Sequence, residues 1–194
     1  MFSAGKYTPA LHSTATSPRD STMSYRDDRT WSDAYLPAIR MIVGPHLLVP
    51  APLELDQTQA TDLIVLKAQN ITVAARVRRP EYASRFPFDF TIRCRRDSGA
   101  ETELSKILHG WADWMFYGFA NPTDAGTIAH WHLIDLDAFR FELARLGYQH
   151  GWRVACEEHD NHDGTHFMAF DVRRFSNCVI ASSDPVPPLE AFET

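Results

Sequence analysis

Apolar residues recur along this chain in two periods, at three to four positions and at every second position. The changes of period divide it into elements. From Asp27 or Asp28 to Val43, the residues Trp31, Tyr35, Ala38, Ile39 and Ile42 fall at helical spacing and Gly44-Pro45 supplies a stop, so a helix is expected. Pro37 lies inside this run and allows a kink or a break into two short helices. Residues 45–60 read as an extended, proline-punctuated connection carrying Glu54 and Asp56. Two short β-branched runs follow at 61–67 and 71–78, with a polar corner at Gln69-Asn70 between them, which reads as a hairpin. In the second run Val73, Ala75 and Val77 alternate with Thr72, Ala74, Arg76 and Arg78, so both arginines are expected on one face.

A third strand is expected at 88–96, where Phe88, Phe90, Ile92 and Cys94 alternate with Asp89, Thr91, Arg93 and Arg95. Asp97-Ser98-Gly99 is the turn after it. Leu104, Ile107, Leu108, Trp111, Met115 and Phe119 then form a stripe that predicts one helix over 102–120, with Thr102 as N-cap. Glu103, Lys106, Gly110, Asp113 and Tyr117 make a second row on that helix, either a solvated face or a site. Residues 127–135, containing His130 and His132, read as a fourth strand, and Leu136–Leu146 as a helix capped by Gly147. Segments 152–157 and 166–172 suggest a hairpin, and 177–181 a short strand.

The expected fold class is therefore mixed α/β, in the α+β sense. Its core runs helix, three-strand meander, helix, strand, with an appended C-terminal β-hairpin. One globular domain is expected over 27–182, with a flexible Ser/Thr/Pro-containing tail at 1–26 and a proline-rich acidic tail at 183–194. At 194 residues the chain can bury one sizeable core. It has no stretch near the roughly 18 apolar residues of a membrane helix and no apolar leader, so no membrane partner and a cytoplasmic location are expected. Cys94, Cys156 and Cys178 are odd in number and lack paired spacing, which points to reduced thiols.

Charge changes the picture. The formal net charge of -6 argues against a generic polyanion binder. Yet from Arg76 to Asp97 there are seven arginines against Glu81, Asp89 and Asp97. Arg76 and Arg78 on one strand, with Arg93 and Arg95 on a neighbour, suit phosphate oxygens through their guanidinium forks. Pairing of these arginines with Glu54, Asp56, Asp62 and Asp89 is the competing reading.

An acid at the start of one strand, Asp62, followed by a charged pair spaced Arg76-Val77-Arg78 at the end of the next, resembles the core of the PD-(D/E)XK nuclease-like superfamily. The order of elements between about 30 and 136 resembles it too. In that pattern the first acid and a second acid bind a divalent metal, and a lysine positions or activates water. Asp62 matches the first acid, while Arg76 and Arg78 stand where the second acid and the lysine are expected. In some branches the second acid has migrated to the helix after the third strand, where Glu103 lies, with Lys106 one turn on. The resemblance thus implies catalytic residues Asp62, Glu103 and Lys106, a magnesium or manganese ion on Asp62 and Glu103, and phosphate contacts from Arg76, Arg78, Arg93 and Arg95.

Two functional readings follow. One is a nucleic-acid-associated protein, DNA ahead of RNA, with metal-dependent phosphodiester hydrolysis at a rearranged site. The other is a catalytically inactive nuclease-like fold serving as an interaction or assembly subunit, whose partner is nucleic acid or an acidic protein. A third, weaker reading uses the loop carrying Glu157, Glu158, His159, Asp160, His162, Asp163 and His166 as a transition-metal site in a regulator, against the plainer view of a solvated hairpin loop. No nucleophile elbow, phosphate-binding glycine loop or dinucleotide fingerprint is present.

Overall fold

The computed structural model describes residues 25–50, 63–65, 71–151, 156–161, 163–187 and 189. The first helical run is two helices, α1 (Tyr25–Asp33) and α2 (Leu36–Val43), parted at Ala34-Tyr35. Pro37 sits in the first turn of α2, where a missing backbone N–H costs nothing. A 3₁₀ turn, Gly44–Leu47, leads into β1 (Leu48–Pro50), which pairs antiparallel with β2 (Leu63–Val65).

Beyond these come β3 (Val73–Arg78), α3 (Glu81–Arg85), β4 (Asp89–Arg96) and α4 (Glu103–Leu108). The chain continues with β5 (Trp114–Ala120), β6 (Ile128–Asp135) and α5 (Leu136–His150). It closes with β7 (Glu157–Asp160), β8 (Thr165–Asp171), a 3₁₀ stretch Val172–Cys178 and β9 (Val179–Ser182). The class is mixed α+β. One four-stranded sheet has the order β3-β5-β6-β9, with β3 parallel to β5 and the other pairs antiparallel. A second, antiparallel sheet has the order β4-β8-β7.

The stretch 102–120 corrects the helix expected there. Thr102 does cap α4, its side chain accepting from the Ser105 N–H at 3.4 Å, but the helix stops at Leu108 and Gly110 turns the chain at φ +79°. Trp114–Ala120 is apolar at every position, as a strand buried on both faces requires. Met115, Tyr117 and Phe119 face one cluster, with Phe90, Ile134, Phe139, Phe170 and Phe175. Phe116 and Ala120 face another, with Tyr35, Ile39, Val43, Val77 and Leu133. Gly118 leaves the room Phe116 needs, since a Cβ there would stand 2.9 Å from its ring.

This hidden strand also overturns the three-strand meander. β3 takes β5 as its partner, β2 pairs with β1, and β4 joins β8 in the other sheet. The C-terminal hairpin forms, at β7 and β8, and it is built into the second sheet with β8 at the centre. α5 runs through Gly147 to His150 and ends at Gly151, φ +81°. Past β9, Ser183 and Asp184 bond to β6 and Val186 packs on the core. Among the described residues no helix is long and apolar enough to cross a membrane.

Candidate nucleic-acid interface

Alternation along β3 puts Arg76 and Arg78 on one side, where both reach across to β4 of the other sheet. Arg76 Nη1 donates to the Thr91 carbonyl at 3.0 Å and to Thr91 Oγ1 at 3.3 Å, and Arg78 Nη1 donates to Thr91 Oγ1 at 3.2 Å. The same hydroxyl shares a hydrogen bond of 3.1 Å with the buried Tyr117 hydroxyl on β5. Arg76 Nη2 donates to Glu103 Oε2 at 2.5 Å, and that oxygen also accepts from the Arg93 backbone N–H at 3.3 Å. Glu103, in the first turn of α4, therefore ties β3 to β4.

Five arginines, Arg29, Arg76, Arg78, Arg79 and Arg93, line a groove of about 620 Å³, and among the described residues Asp33 is the one carboxylate in its wall. Asp33 is itself bridged by Arg29 at 3.7 Å. Arg78 lies over the Tyr82 ring at 4.2 Å and Arg79 over Trp31 at 5.5 Å, so aromatic faces hold two guanidinium groups in place. Among the described residues no carboxylate lies within ion-pairing distance of Arg78 or Arg93. Partial burial, and then the neighbouring Arg76 and Arg96 cations, hold the Arg93 guanidinium below its ordinary pKa. An anion in the groove would relieve that repulsion.

Arg95 is placed elsewhere, and the expectation that it shares a face with Arg93 is corrected. Register slips between the two: Arg93 pairs with Phe167, whereas Arg95 pairs with His166, the next residue along β8. The β-bulge at Cys94 re-aims the chain, which is what an extra residue in one strand does. Arg95 joins a corner with Asp97 at 3.4 Å and Glu158 at 3.6 Å. There His166 is bonded through Nε2 to Asp97 at 3.0 Å and through Nδ1 to Asp160. Those two carboxylates, Asp97 first, raise the His166 pKa above its ordinary value.

The sequence-level site is only partly assembled within the described residues. Asp62, with Glu54 and Asp56, lies outside them, so the Asp62–Glu103 separation does as well. Glu103 stands in the groove region, already engaged by Arg76. Lys106 is exposed, its Nζ 5.8 Å from the Trp111 ring centre, and no ion pair joins it to Glu103. For the histidine loop, Glu158, Asp160 and His166 bring ligand atoms within 4.8 Å of one another. Arg95 Nη2 stands 2.9 Å from His166 Nδ1, so a guanidinium already fills the cationic place and this donor set is poorly suited to a metal. His159 stacks on Phe167 at 5.2 Å, and His162 lies outside the described residues.

Arg29, Arg79, Trp31 and Tyr82 are not among the site residues expected from the sequence. Arg79 adjoins Arg78 in the run of seven arginines, a usable signal, whereas α1 meets β3 only through tertiary packing. On β6, His130 Nδ1 bonds Asp184 at 2.7 Å, while the buried His132 has no hydrogen-bond partner at either ring nitrogen among the described residues. None of the three cysteines is in a disulfide, and burial pushes the Cys178 thiol up to about 12, which removes it as a nucleophile. Comparisons with protein-family models, with curated proteins and with solved structures found no match for the chain.

Proposed function

We propose that this protein binds nucleic acid, with strand phosphates lying along the arginine groove between β3, β4 and α1. The observation that carries the reading is the balance of charge in that groove, five arginines against the lining Asp33 and the adjoining Glu103 among the described residues, in a chain of net charge -6. Cations concentrated against the sign of the whole chain raise local anion concentration where a ligand is needed. Their planar forks suit phosphate oxygens. Arg78 is held by the Tyr82 ring and the Thr91 hydroxyl, and no carboxylate lies within ion-pairing distance of the Arg78 or Arg93 side chain among the described residues, so a phosphate has no internal anion to displace there. Metal-dependent cleavage is not part of the proposal: one oxygen of Glu103 is engaged by Arg76, and Asp62 lies outside the described residues.

The test is a salt titration of binding to a labelled single-stranded oligonucleotide by fluorescence anisotropy. Arg78→Glu should weaken binding by about tenfold or more and reduce the salt slope by about 1 or more, as loss of a phosphate contact requires. Arg95→Glu, in the corner, should leave both nearly unchanged. Equal effects of the two variants, or no salt-dependent binding by the parent chain, would overturn the assignment.

A further inference from the structure

The groove does not end at its arginines. Arg78, Tyr82 and Phe167 also wall a second, smaller pocket of about 100 Å³. Its lining is largely aromatic. The Tyr82 and Phe86 rings stack with centres 6.5 Å apart and 25° between planes, and His159 and Phe167 stack at 5.2 Å and 23°. Asp89, the first residue of β4, lines this pocket too. Its backbone N–H bonds the Phe86 carbonyl at 3.3 Å, yet no donor lies within hydrogen-bonding distance of its carboxylate among the described residues. Burial first, and then Asp171, hold the Asp89 carboxyl above the usual carboxylate range, a cost that a ligand donor would offset. Thr91, another polar side chain in the lining, is already used by Arg76, Arg78 and Tyr117.

A row of fixed cations leading into an aromatic pocket with an open acceptor matches the parts of one nucleotide: phosphate, planar ring, and a ring edge that donates. We infer that the pocket receives one nucleobase carrying an exocyclic amino group, unstacked from a single strand whose phosphates lie on the groove arginines. This inference rests on the proposed reading of the groove. The pocket is a single-ring space, so a paired and stacked duplex cannot fill it without turning a base out, whereas a single strand offers its bases freely. Stacking on the rings supplies affinity, and the carboxylate selects the edge, as acidic side chains do when they accept from the cytosine amino group.

The experiment compares three labelled single strands of equal length with the full chain: oligo(dC), oligo(dT) and an abasic strand with the same phosphates. Oligo(dC) should bind about tenfold tighter than the abasic strand, the effect of one stacked base. It should also bind several-fold tighter than oligo(dT), because the two pyrimidines stack alike and differ at the amino-bearing position. Asp89→Asn should close the gap between dC and dT, since an amide can donate to the thymine carbonyl, and unchanged abasic-strand affinity shows that the variant has kept its fold. If all three strands bind alike with strong salt dependence, the base pocket is wrong and the phosphate groove stands. If no strand binds, both readings fall together.

Discussion

Arg93 and Arg95 stand two residues apart on β4 and have opposite fates. Arg93 looks into the groove, where it meets other cations and no carboxylate within ion-pairing distance among the described residues. Arg95 lies in the corner against Asp97, Glu158 and His166, an arrangement that uses its charge internally. A regular strand would have put both on one face. The bulge at Cys94 separates them, and so decides which cation the fold satisfies and which it leaves for a ligand. Of the two β4 arginines expected to contact phosphate, Arg93 alone faces the proposed binding groove, and the register slip is what separates it from Arg95.

The same contrast between satisfied and unsatisfied groups divides two buried histidines, and it gives the largest expected effect. His166 is 8% exposed with both nitrogens facing carboxylates, while His132 is 1% exposed and neither of its nitrogens has a hydrogen bond of ordinary geometry among the described residues. Burial, and then the adjacent His130, push the His132 pKa down to about 4. The unfolded chain takes up this proton near pH 6.5 and the folded chain refuses it until about 4. The stability is therefore fully present above 6.5 and is lost as pH falls, by up to about 1.4 kcal/mol per pH unit and roughly 3 kcal/mol in all. His132→Phe should abolish that loss. Urea unfolding of both proteins at pH 7 and at pH 4.5 checks it, and an equal loss in parent and variant would assign the acid sensitivity to other groups.

A middle-sized effect is expected where a carboxylate adjoins the groove. Arg76 and Glu103 are each about a quarter exposed, so water screens their attraction and Glu103→Gln should cost only about 1 kcal/mol. The same change frees Arg76 for phosphate and should raise single-strand affinity by about three- to tenfold, as one added phosphate contact would. Asp97→Asn in the corner should leave affinity where it was. If Glu103→Gln binds no better than the parent chain, Arg76 belongs to the frame, and the groove offers one cation fewer than its lining suggests.

How much of this was legible in the sequence depended on whether a pattern had one meaning. β3 and β4 alternate along the sequence, β6 is a short run apolar on both sides, and the observed bounds of all three lie within two residues of those expected. The shared face of Arg76 and Arg78 was legible for the same reason. Trp114–Ala120 was not, because a strand buried on both faces carries no alternation, and Met115 and Phe119 happened to continue the spacing of Leu104, Ile107 and Leu108. Gly110, followed by a run dense in aromatics, was the available sign of a break. Missing that strand misplaced the partners of β3 and β4. The bulge at Cys94 left no local trace, since Ile92-Arg93-Cys94-Arg95 alternates as a regular strand does. Its position follows from the pairing of β4 with β8, which is a property of the tertiary fold. Asp62, the first acid of the metal pair implied by the nuclease resemblance, lies outside the described residues.

The smallest expected effect probes the corner itself. Asp97 first, and then Asp160, raise the His166 pKa, so the folded chain holds a proton that the unfolded chain releases near 6.5. This contribution is fully present below pH 6.5 and is lost as pH rises through the higher folded value. Both carboxylates are largely exposed and Arg95 opposes the added charge, which keeps the effect small. His166→Gln retains a polar side chain without the titration. The difference in Tm between the parent and this variant should therefore be greatest near pH 6 and should shrink toward pH 9. A difference that does not change with pH would mean that His166 stays neutral throughout. Arg95 alone would then be the cation satisfying Asp97 and Glu158, and the division of labour along β4 would be sharper still, with Arg93 facing the groove and Arg95 answering both of those carboxylates.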